Sequence, residues 1–257
     1  MVASLAEPRT GPRDVNQNLL PSSESRSINL PTRIVVFTWV ASYIAAMFLS
    51  LIVLSIAGYG DAKIADQPFW AIGLTSLALW VPMLIALRLV SKRYGSSNFV
   101  GDYALSFRAS DLLGVPLGAI AQLLIVPLVT WPFTQIWPDA FSTEKVEERA
   151  RDLYNTANAG WVVALCIVVV VGAPLVEELM YRGFMQRAMS KQLGAWPALF
   201  TTAVWFTVIH LQPVEFPGLF CFALILGYLT MRTDRIGISV LAHLGFNAAG
   251  LILVATR

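Results

Sequence analysis

Long apolar stretches are the sequence feature that most restricts the fold of this chain. They run near residues 34–57, 68–90, 112–137, 160–182, 196–211, 217–231 and 236–255. Most approach the roughly 20 residues that an α-helix needs to cross the hydrocarbon core of a bilayer, although the fifth and sixth are short. The chain is 56% hydrophobic and 13% charged, whereas soluble domains average about 25% charged residues. The sequence therefore predicts an all-α, polytopic transmembrane bundle of about seven helices.

The composition of the segments divides the chain into four predicted parts. Residues 1–33 are rich in proline, serine and arginine without hydrophobic periodicity, and we expect a disordered cytoplasmic tail. Residues 34–137 hold three transmembrane helices. Residues 138–159 form an interfacial loop whose charge-dense stretch from Glu144 to Asp152 is expected to be one amphipathic helix at the membrane surface. Residues 160–257 hold four more transmembrane helices.

The distribution of lysine and arginine predicts the orientation of the chain and limits its partners. Alternate loops on one side carry more than twice as many basic residues as those on the other. Because cytoplasmic loops hold this excess, we expect a multi-pass protein of the cell membrane with a cytoplasmic amino terminus and an external carboxyl terminus. A net charge of +2 without a basic stripe makes the lipid bilayer, and not nucleic acid, the expected partner.

Ionisable residues within the apolar stretches are the strongest functional signal. Each costs roughly 2.5–3.5 kcal/mol near the centre of a membrane helix. In this chain they are concentrated in the C-terminal part, which also holds both histidines of the sequence. They form three short patterns, Glu177-Glu178-x-x-x-Arg182, Phe206-x-x-x-His210 and His243-x-x-x-Asn247.

The spacing of these residues predicts a single site. Residues four apart lie on one helical face, separated by about 6 Å along the axis. Glu178 and His210 lie equally far before and after Gly194, where we expect the turn of a helical hairpin, so they are predicted to meet at the same depth. We expect Glu177 or Glu178, both histidines and Asn247 to line one polar cavity.

This set of side chains suits the hydrolysis of an amide bond by water. A carboxylate in a low-dielectric pocket takes up a proton more readily than in water and can act as a general base. A histidine can share water activation or proton delivery, and histidine with asparagine can donate hydrogen bonds to a developing oxyanion. The same groups can instead hold zinc, with Glu177, His210 and His243 as candidate ligands, and the sequence leaves both chemistries open.

Structural roles and other functions are the competing interpretations. Glu178 with Arg182 would then be a buried ion pair that ties helices together, and Asn247 an interhelical hydrogen bond. A proton-coupled transporter would use the glutamates and His210 as a relay, although no internal repeat supports it. A non-catalytic membrane scaffold or bacteriocin immunity factor would keep the fold without the chemistry.

The three patterns, in this order, resemble those of the CPBP intramembrane metalloproteases, the family of the CAAX prenyl endopeptidases and of the Abi and bacteriocin-processing proteins. The resemblance covers roughly residues 160–255 and implies that residues 160–257 form the catalytic core. It implies a peptide or protein substrate in or at the membrane. A divalent metal such as zinc and a metal-free mechanism are both compatible with it.

The resemblance also implies a role for each residue of the patterns. The first glutamate and the middle histidine, here Glu177 and His210, would activate water. The second glutamate and the arginine, here Glu178 and Arg182, would support that site. The last histidine, His243, and the asparagine four residues after it would steady the oxyanion.

Overall fold

The computed structural model describes residues 28–62, 66–141, 145, 151 and 162–256. Over these residues the chain is a bundle of helices, with α1 at Thr32–Ile56, α2 at Phe69–Tyr94, α3 at Ala109–Ile136, α4 at residues 162–193, α5 at Ala195–Val208, α6 at Phe216–Thr233 and α7 at Gly237–Ala255. A single helical turn, Phe99–Asp102, lies between α2 and α3. The predicted all-α polytopic bundle is therefore confirmed.

Five helices in the described part of the chain, α1, α2, α3, α6 and α7, are long and apolar enough to cross a membrane. Their outward faces carry large exposed apolar side chains, as expected of surfaces that contact lipid. α5 is apolar but has only 14 residues, and α4 carries the charged residues of the first pattern. The protein is thus a multi-pass membrane protein in which α4 is the polar exception.

Two helix ends differ from the sequence-based prediction. The fourth apolar stretch was expected to end at residue 182, but α4 continues to residue 193 because its next turns are buried by protein and not by lipid. The fifth was expected to reach residue 211, but α5 ends at Val208. Pro213 disfavours helical backbone in the residue before it, and Leu211 already has a positive φ of 55°. The predicted interfacial helix at 144–152 lies outside the described residues except for Lys145 and Arg151.

α4 lies at the centre of the bundle. All residues from Leu179 to Gln186 are buried, and they form one core with Trp39 of α1, Phe206 of α5 and Ala223 of α6. Burial of this middle part of α4 by protein lets it carry polar side chains, because neighbouring helices supply hydrogen-bond partners that lipid lacks. The central position of α4 brings its glutamates within reach of the other helices.

The loop between α2 and α3 inserts beside the C-terminal half of α4. Tyr103 is fully buried, donates a hydrogen bond to the Leu87 carbonyl oxygen and packs edge-on against Phe184 of α4. Burial raises the pKa of Tyr103 far above its ordinary value, so its hydroxyl stays a neutral donor. Asp102 accepts a hydrogen bond from Ser91 at 2.6 Å. This loop therefore fixes the end of α2 against α4.

α3 and α7 approach each other more closely than ordinary side chains allow. A Cβ at Gly118 would lie 2.7 Å from the Ala242 carbonyl carbon, and a Cβ at Gly245 would lie 2.8 Å from the Val115 carbonyl carbon. Small residues permit this backbone contact between membrane helices. The contact sets the position of α7, which carries His243.

Gly118→Ala is expected to destabilise the bundle by about 1–3 kcal/mol, the usual cost of overfilling a packed interior. The added methyl group would overlap the backbone of α7. Gly73→Ala on α2 is the matched control, because a Cβ there meets nothing within 4 Å. Denaturant unfolding in detergent micelles measures both variants, and equal stability of the two would contradict the close contact.

Candidate active site

The backbone of α4 changes its winding on both sides of the two glutamates. The α-helical segment Ala173–Glu178 lies between two π-helical segments, Cys166–Gly172 and Leu179–Gln186. Pro174, at the start of the middle segment, has no N–H to donate, which the wider preceding turn accommodates. π-Helical turns are rare and occur frequently at functional sites. The glutamates therefore lie on a short α-helical segment. The π-helical segments on both sides set the direction in which their side chains point.

Glu178 is completely buried and held by two partners. Its Oε1 atom accepts hydrogen bonds from Arg182 Nη1 at 2.7 Å and from His243 Nδ1 at 2.9 Å. Its Oε2 atom has no hydrogen-bond partner in the protein. Because an ionised carboxylate only accepts, His243 must donate from Nδ1. Glu178 therefore fixes the ring orientation of His243 across the α4–α7 interface.

Arg182 connects this pair to two further helices. It donates from Nη2 to the Ala223 carbonyl oxygen of α6 at 3.1 Å, and its guanidinium carbon lies 4.7 Å from the ring centroid of Phe206 on α5. A guanidinium over an aromatic face is attractive, more so away from water. Glu178 and Arg182, four residues apart on α4, thus form a buried ion pair with well-placed donors.

Glu177 has a different environment from its neighbour. Its side chain is 29% exposed, against 0% for Glu178. Its Oε2 atom lies 3.9 Å from His243 Nε2, too far for a direct hydrogen bond. Glu177 faces a cavity of about 660 Å³. Of the two glutamates, Glu177 is the one whose carboxylate is available to a molecule in the cavity.

His210 lines the same cavity as Glu177. It lies in the turn after α5, not on the helix, and its backbone N–H donates to the Thr207 carbonyl oxygen. Its ring Nδ1 lies 2.6 Å from the Phe206 carbonyl oxygen. A carbonyl only accepts, so Nδ1 carries the proton and Nε2 of the neutral ring carries the lone pair. The turn therefore both positions the ring and selects its tautomer.

The remaining walls of the cavity come from α1, α2, α4, the segment after α5 and Lys145. α1 and α2 contribute a largely apolar wall, α4 a mixed one, and the segment after α5 a polar one. The lining residues are Tyr43, Met47, Leu79, Trp80, Met83, Lys145, Val176, Glu177, Met180, Tyr181, Ile209, His210, Leu211, Gln212 and Glu215. This arrangement gives a substrate an apolar surface on one side and ionisable groups on the other.

His243 and Asn247 do not line this cavity. His243 lies behind Glu177, 5% exposed, with its ring edge-on to Phe206 and Phe222. Asn247 donates from its amide nitrogen to the Val169 carbonyl oxygen of the first π-helical segment at 2.8 Å. Of the residues expected to line one polar cavity, Glu177 and His210 do so, whereas Glu178 and His243 are absent from its lining and Asn247 connects α7 to α4.

The residues proposed as metal ligands are not grouped as a metal site. Among the residues that the structure describes, no three His, Cys, Asp or Glu side chains are arranged to hold a metal ion. His243 donates from Nδ1 to Glu178 and His210 donates from Nδ1 to a backbone carbonyl, so only their Nε2 atoms could join Glu177 as ligands. These side chains as they stand do not form a metal centre.

The sequence patterns did not identify the aromatic residues around the site. Tyr181 is buried, lines the cavity and packs edge-on against Phe206 at 5.1 Å. It lies four residues after Glu177, so helical spacing was the signal that would have found it. Tyr43 of α1 and Trp80 of α2 are far away in sequence, and nothing in the three patterns points to them.

Comparison with known proteins agrees with the motifs. Residues 159–249 match the family model described as type II CAAX prenyl endopeptidase Rce1-like. The resemblance to this group of proteases is confirmed over those residues, which include all three polar patterns. No curated protein and no solved structure matches the chain.

Proposed function

We propose that this chain, whose residues 159–249 match the type II CAAX prenyl endopeptidase family, hydrolyses a peptide bond of a membrane-associated substrate with water activated by Glu177 and His210. The observation that carries the proposal is the contrast between the two adjacent glutamates. Glu178 is fully buried in an ion pair, while Glu177 faces a cavity that His210 also lines. A partly exposed carboxylate beside an imidazole is what a water-activating site requires.

In the proposed reaction Glu177 acts as the general base. A water molecule between Glu177 and His210 gives one proton to the Glu177 carboxylate while its oxygen adds to the peptide carbonyl carbon. The second hydrogen of that water bonds to His210 Nε2, the nitrogen with the lone pair. The protonated Glu177 then delivers its proton to the amide nitrogen as the C–N bond breaks. The products are one carboxylic acid and one amine, so the sum of the steps is the addition of one water.

The residues behind the cavity hold this base in position. Glu178, with Arg182, fixes His243 through Nδ1 and leaves His243 Nε2 3.9 Å from Glu177. The imidazole ring, held in place at this distance, limits the rotation of the carboxylate. The support for this role is the shared burial of all three groups. The assignment of Asn247 to the oxyanion lacks such support, because its amide group bonds to Val169.

The test of the proposal is the appearance of new peptide termini. Purified protein in liposomes is mixed with a membrane fraction of the producing cell, and mass spectrometry compares products of the wild type with those of Glu177→Gln. We expect new termini in membrane-protein peptides for the wild type alone. Identical products from both proteins would contradict the proposed protease function. A proton flux that Glu177→Gln removes would favour a transporter, and inert wild-type protein would favour a scaffold.

We also propose that the amino terminus and the carboxyl ends of α2, α4 and α6 face the cytoplasm. These ends carry most of the basic residues and are joined to one another, for example by the ion pairs Arg187–Asp234 and Arg235–Asp111. The turn with His210 lies at the opposite end of α5, so the cavity opens away from the cytoplasm.

Reporter fusions measure this orientation. A reporter after Arg257 is expected to be active outside the cytoplasm, and a reporter inserted near Lys92 is expected to be active inside it. The two positions lie at the C-terminal ends of α7 and α2, which are at opposite ends of the bundle. Reporters on the same side would mean that one helix does not cross the membrane.

A further inference from the structure

Two phenylalanine rings contact the imidazole of His243, the residue whose ring nitrogens face the two glutamates. The ring centroid of Phe206 on α5 lies 5.9 Å from that of His243, at an interplanar angle of 73°. The ring of Phe222 on α6 lies closer, at 5.4 Å and 81°. Phe206 belongs to one of the three sequence patterns, whereas Phe222 belongs to none. The patterns therefore do not explain why a phenylalanine of α6 lies against this histidine.

The ring of Phe222 is itself held tightly by α7. Phe222 is 1% exposed, and it stacks on Phe246 with ring centroids 3.8 Å apart and an interplanar angle of 14°. Phe246 follows His243 by three residues, so the two side chains lie on one face of α7. Because Phe222 contacts both of them, it fixes the rotation of α7 about its axis at the turn that carries His243.

The orientation of the His243 ring decides which of its atoms meets each glutamate. Nδ1 donates to Glu178 at 2.9 Å, and Nε2 lies 3.9 Å from Glu177. A half-turn of the imidazole about its Cβ–Cγ bond would put ring carbons in place of both nitrogens, and the hydrogen bond to Glu178 would be lost. Two neighbouring rings that stand nearly perpendicular to the imidazole in a close-packed interior leave little space for this rotation.

We propose that Phe222 is a positioning residue for His243, whose imidazole it holds in the orientation that bonds to Glu178 and faces Glu177. The proposal rests on the protease function above, in which Glu177 is the general base. Phe222 does not line the cavity, so it acts on the reaction through His243. A substitution of Phe222 therefore lowers the catalytic rate and leaves substrate binding unchanged.

The first measurement is kinetic. Phe222→Leu removes the ring and keeps an apolar side chain. We expect kcat to fall by about 10–100-fold, the usual loss when a group that orients a functional histidine is removed, with KM unchanged. Phe184→Leu is the matched control, because Phe184 is equally buried but packs on Tyr103 beside the C-terminal half of α4. Both substitutions lower the midpoint of thermal unfolding, but Phe184→Leu keeps the wild-type kcat.

The second measurement reports the state of the His243 ring independently of activity. The chain contains two histidines, so NMR of protein labelled with ¹⁵N at histidine, in detergent micelles, shows two sets of ring signals. His210→Asn identifies those of His243. In the wild type we expect a protonated Nδ1 and an unprotonated Nε2, as the hydrogen bond to Glu178 requires. In Phe222→Leu the two nitrogen shifts should move towards each other, because the tautomers exchange once that bond is lost, whereas Phe184→Leu keeps the wild-type spectrum.

The two measurements separate this proposal from the protease function. Phe222→Met, whose flexible side chain fills irregular spaces in a packed interior, serves where Phe222→Leu does not fold, with the same expected result. Wild-type His243 signals in the folded variant would overturn the role of Phe222, whatever the change in rate. Equal cleavage by the wild type and Glu177→Gln would instead overturn the protease function and with it the effect on kcat, and the His243 spectrum would then decide whether Phe222 orients the ring.

Discussion

Replacing Glu177 by glutamine is expected to lower the rate of peptide hydrolysis by about 10²–10⁴-fold, the usual contribution of a general base. Glutamine keeps the volume of the side chain but cannot take a proton from water. The side chain of Glu177 is 29% exposed and pairs only at 3.9 Å with His243, so the free energy of unfolding should stay close to that of the wild type. Initial rates on one identified substrate, with thermal unfolding in the same detergent, measure both effects.

The neighbouring substitution Glu178→Gln is the matched control for this prediction. It makes the same chemical change one residue later but removes the ionic partner of buried Arg182. We expect Glu178→Gln to lose both stability and activity, whereas Glu177→Gln loses activity alone. A stable, active Glu177→Gln protein would require another general base. It would contradict the proposed roles of Glu177 as the base and Glu178 as the buried ion-pair partner.

Arg182→Ala is expected to lower the free energy of unfolding by about 3–5 kcal/mol, the cost of leaving one partner of a buried ion pair alone. Glu178 would keep its charge in the protein interior with His243 as its remaining partner, and the Ala223 carbonyl oxygen and the Phe206 ring would lose their contact with the guanidinium. Denaturant unfolding and the yield of folded protein are the measurements.

Two control variants distinguish the effect of breaking the buried ion pair from the effect of removing any charge. Asp234→Asn removes the charge of an exposed pair with Arg187, and the expected loss is below about 1 kcal/mol because surface pairs contribute little. The double variant Glu178→Leu/Arg182→Met replaces both buried charges by apolar side chains and should recover much of the stability. It should remain inactive, because His243 loses its Nδ1 partner. A single Arg182→Ala variant as stable as Asp234→Asn would contradict the buried pair.

The sequence alone was sufficient to predict the membrane helices and to single out the residues of the three patterns. Long apolar stretches predict membrane helices reliably, because lipid offers no hydrogen-bond partners and the backbone N–H and C=O groups must bond to one another. The pair Glu178 and Arg182 follows from helical spacing alone, since both residues belong to one helix. The equal depth of Glu178 and His210 stays a prediction, while Glu177 is the glutamate that shares the cavity with His210.

The remaining features depend on contacts between distant segments. The continuation of α4 past residue 182 reflects burial by α1, α5 and α6, and hydropathy along one segment does not contain that information. The hydrogen bond from Asn247 ends on the Val169 carbonyl oxygen within a π-helical segment, and such a segment has no reliable sequence signal. The contact of Trp80 with Gly172 joins residues more than 90 positions apart, and it arises only when α2 packs on α4.

The central claim is that Glu177 activates water to cleave a peptide bond, and isotope labelling tests it directly. The protein in liposomes cleaves its substrate in H₂¹⁸O, and mass spectrometry measures label in the new carboxyl terminus. One ¹⁸O atom per new carboxylate in the wild type, with no labelled product from folded Glu177→Gln, is the predicted result. Labelled product from Glu177→Gln at the wild-type rate, or cleavage without label in the wild type, would contradict the mechanism.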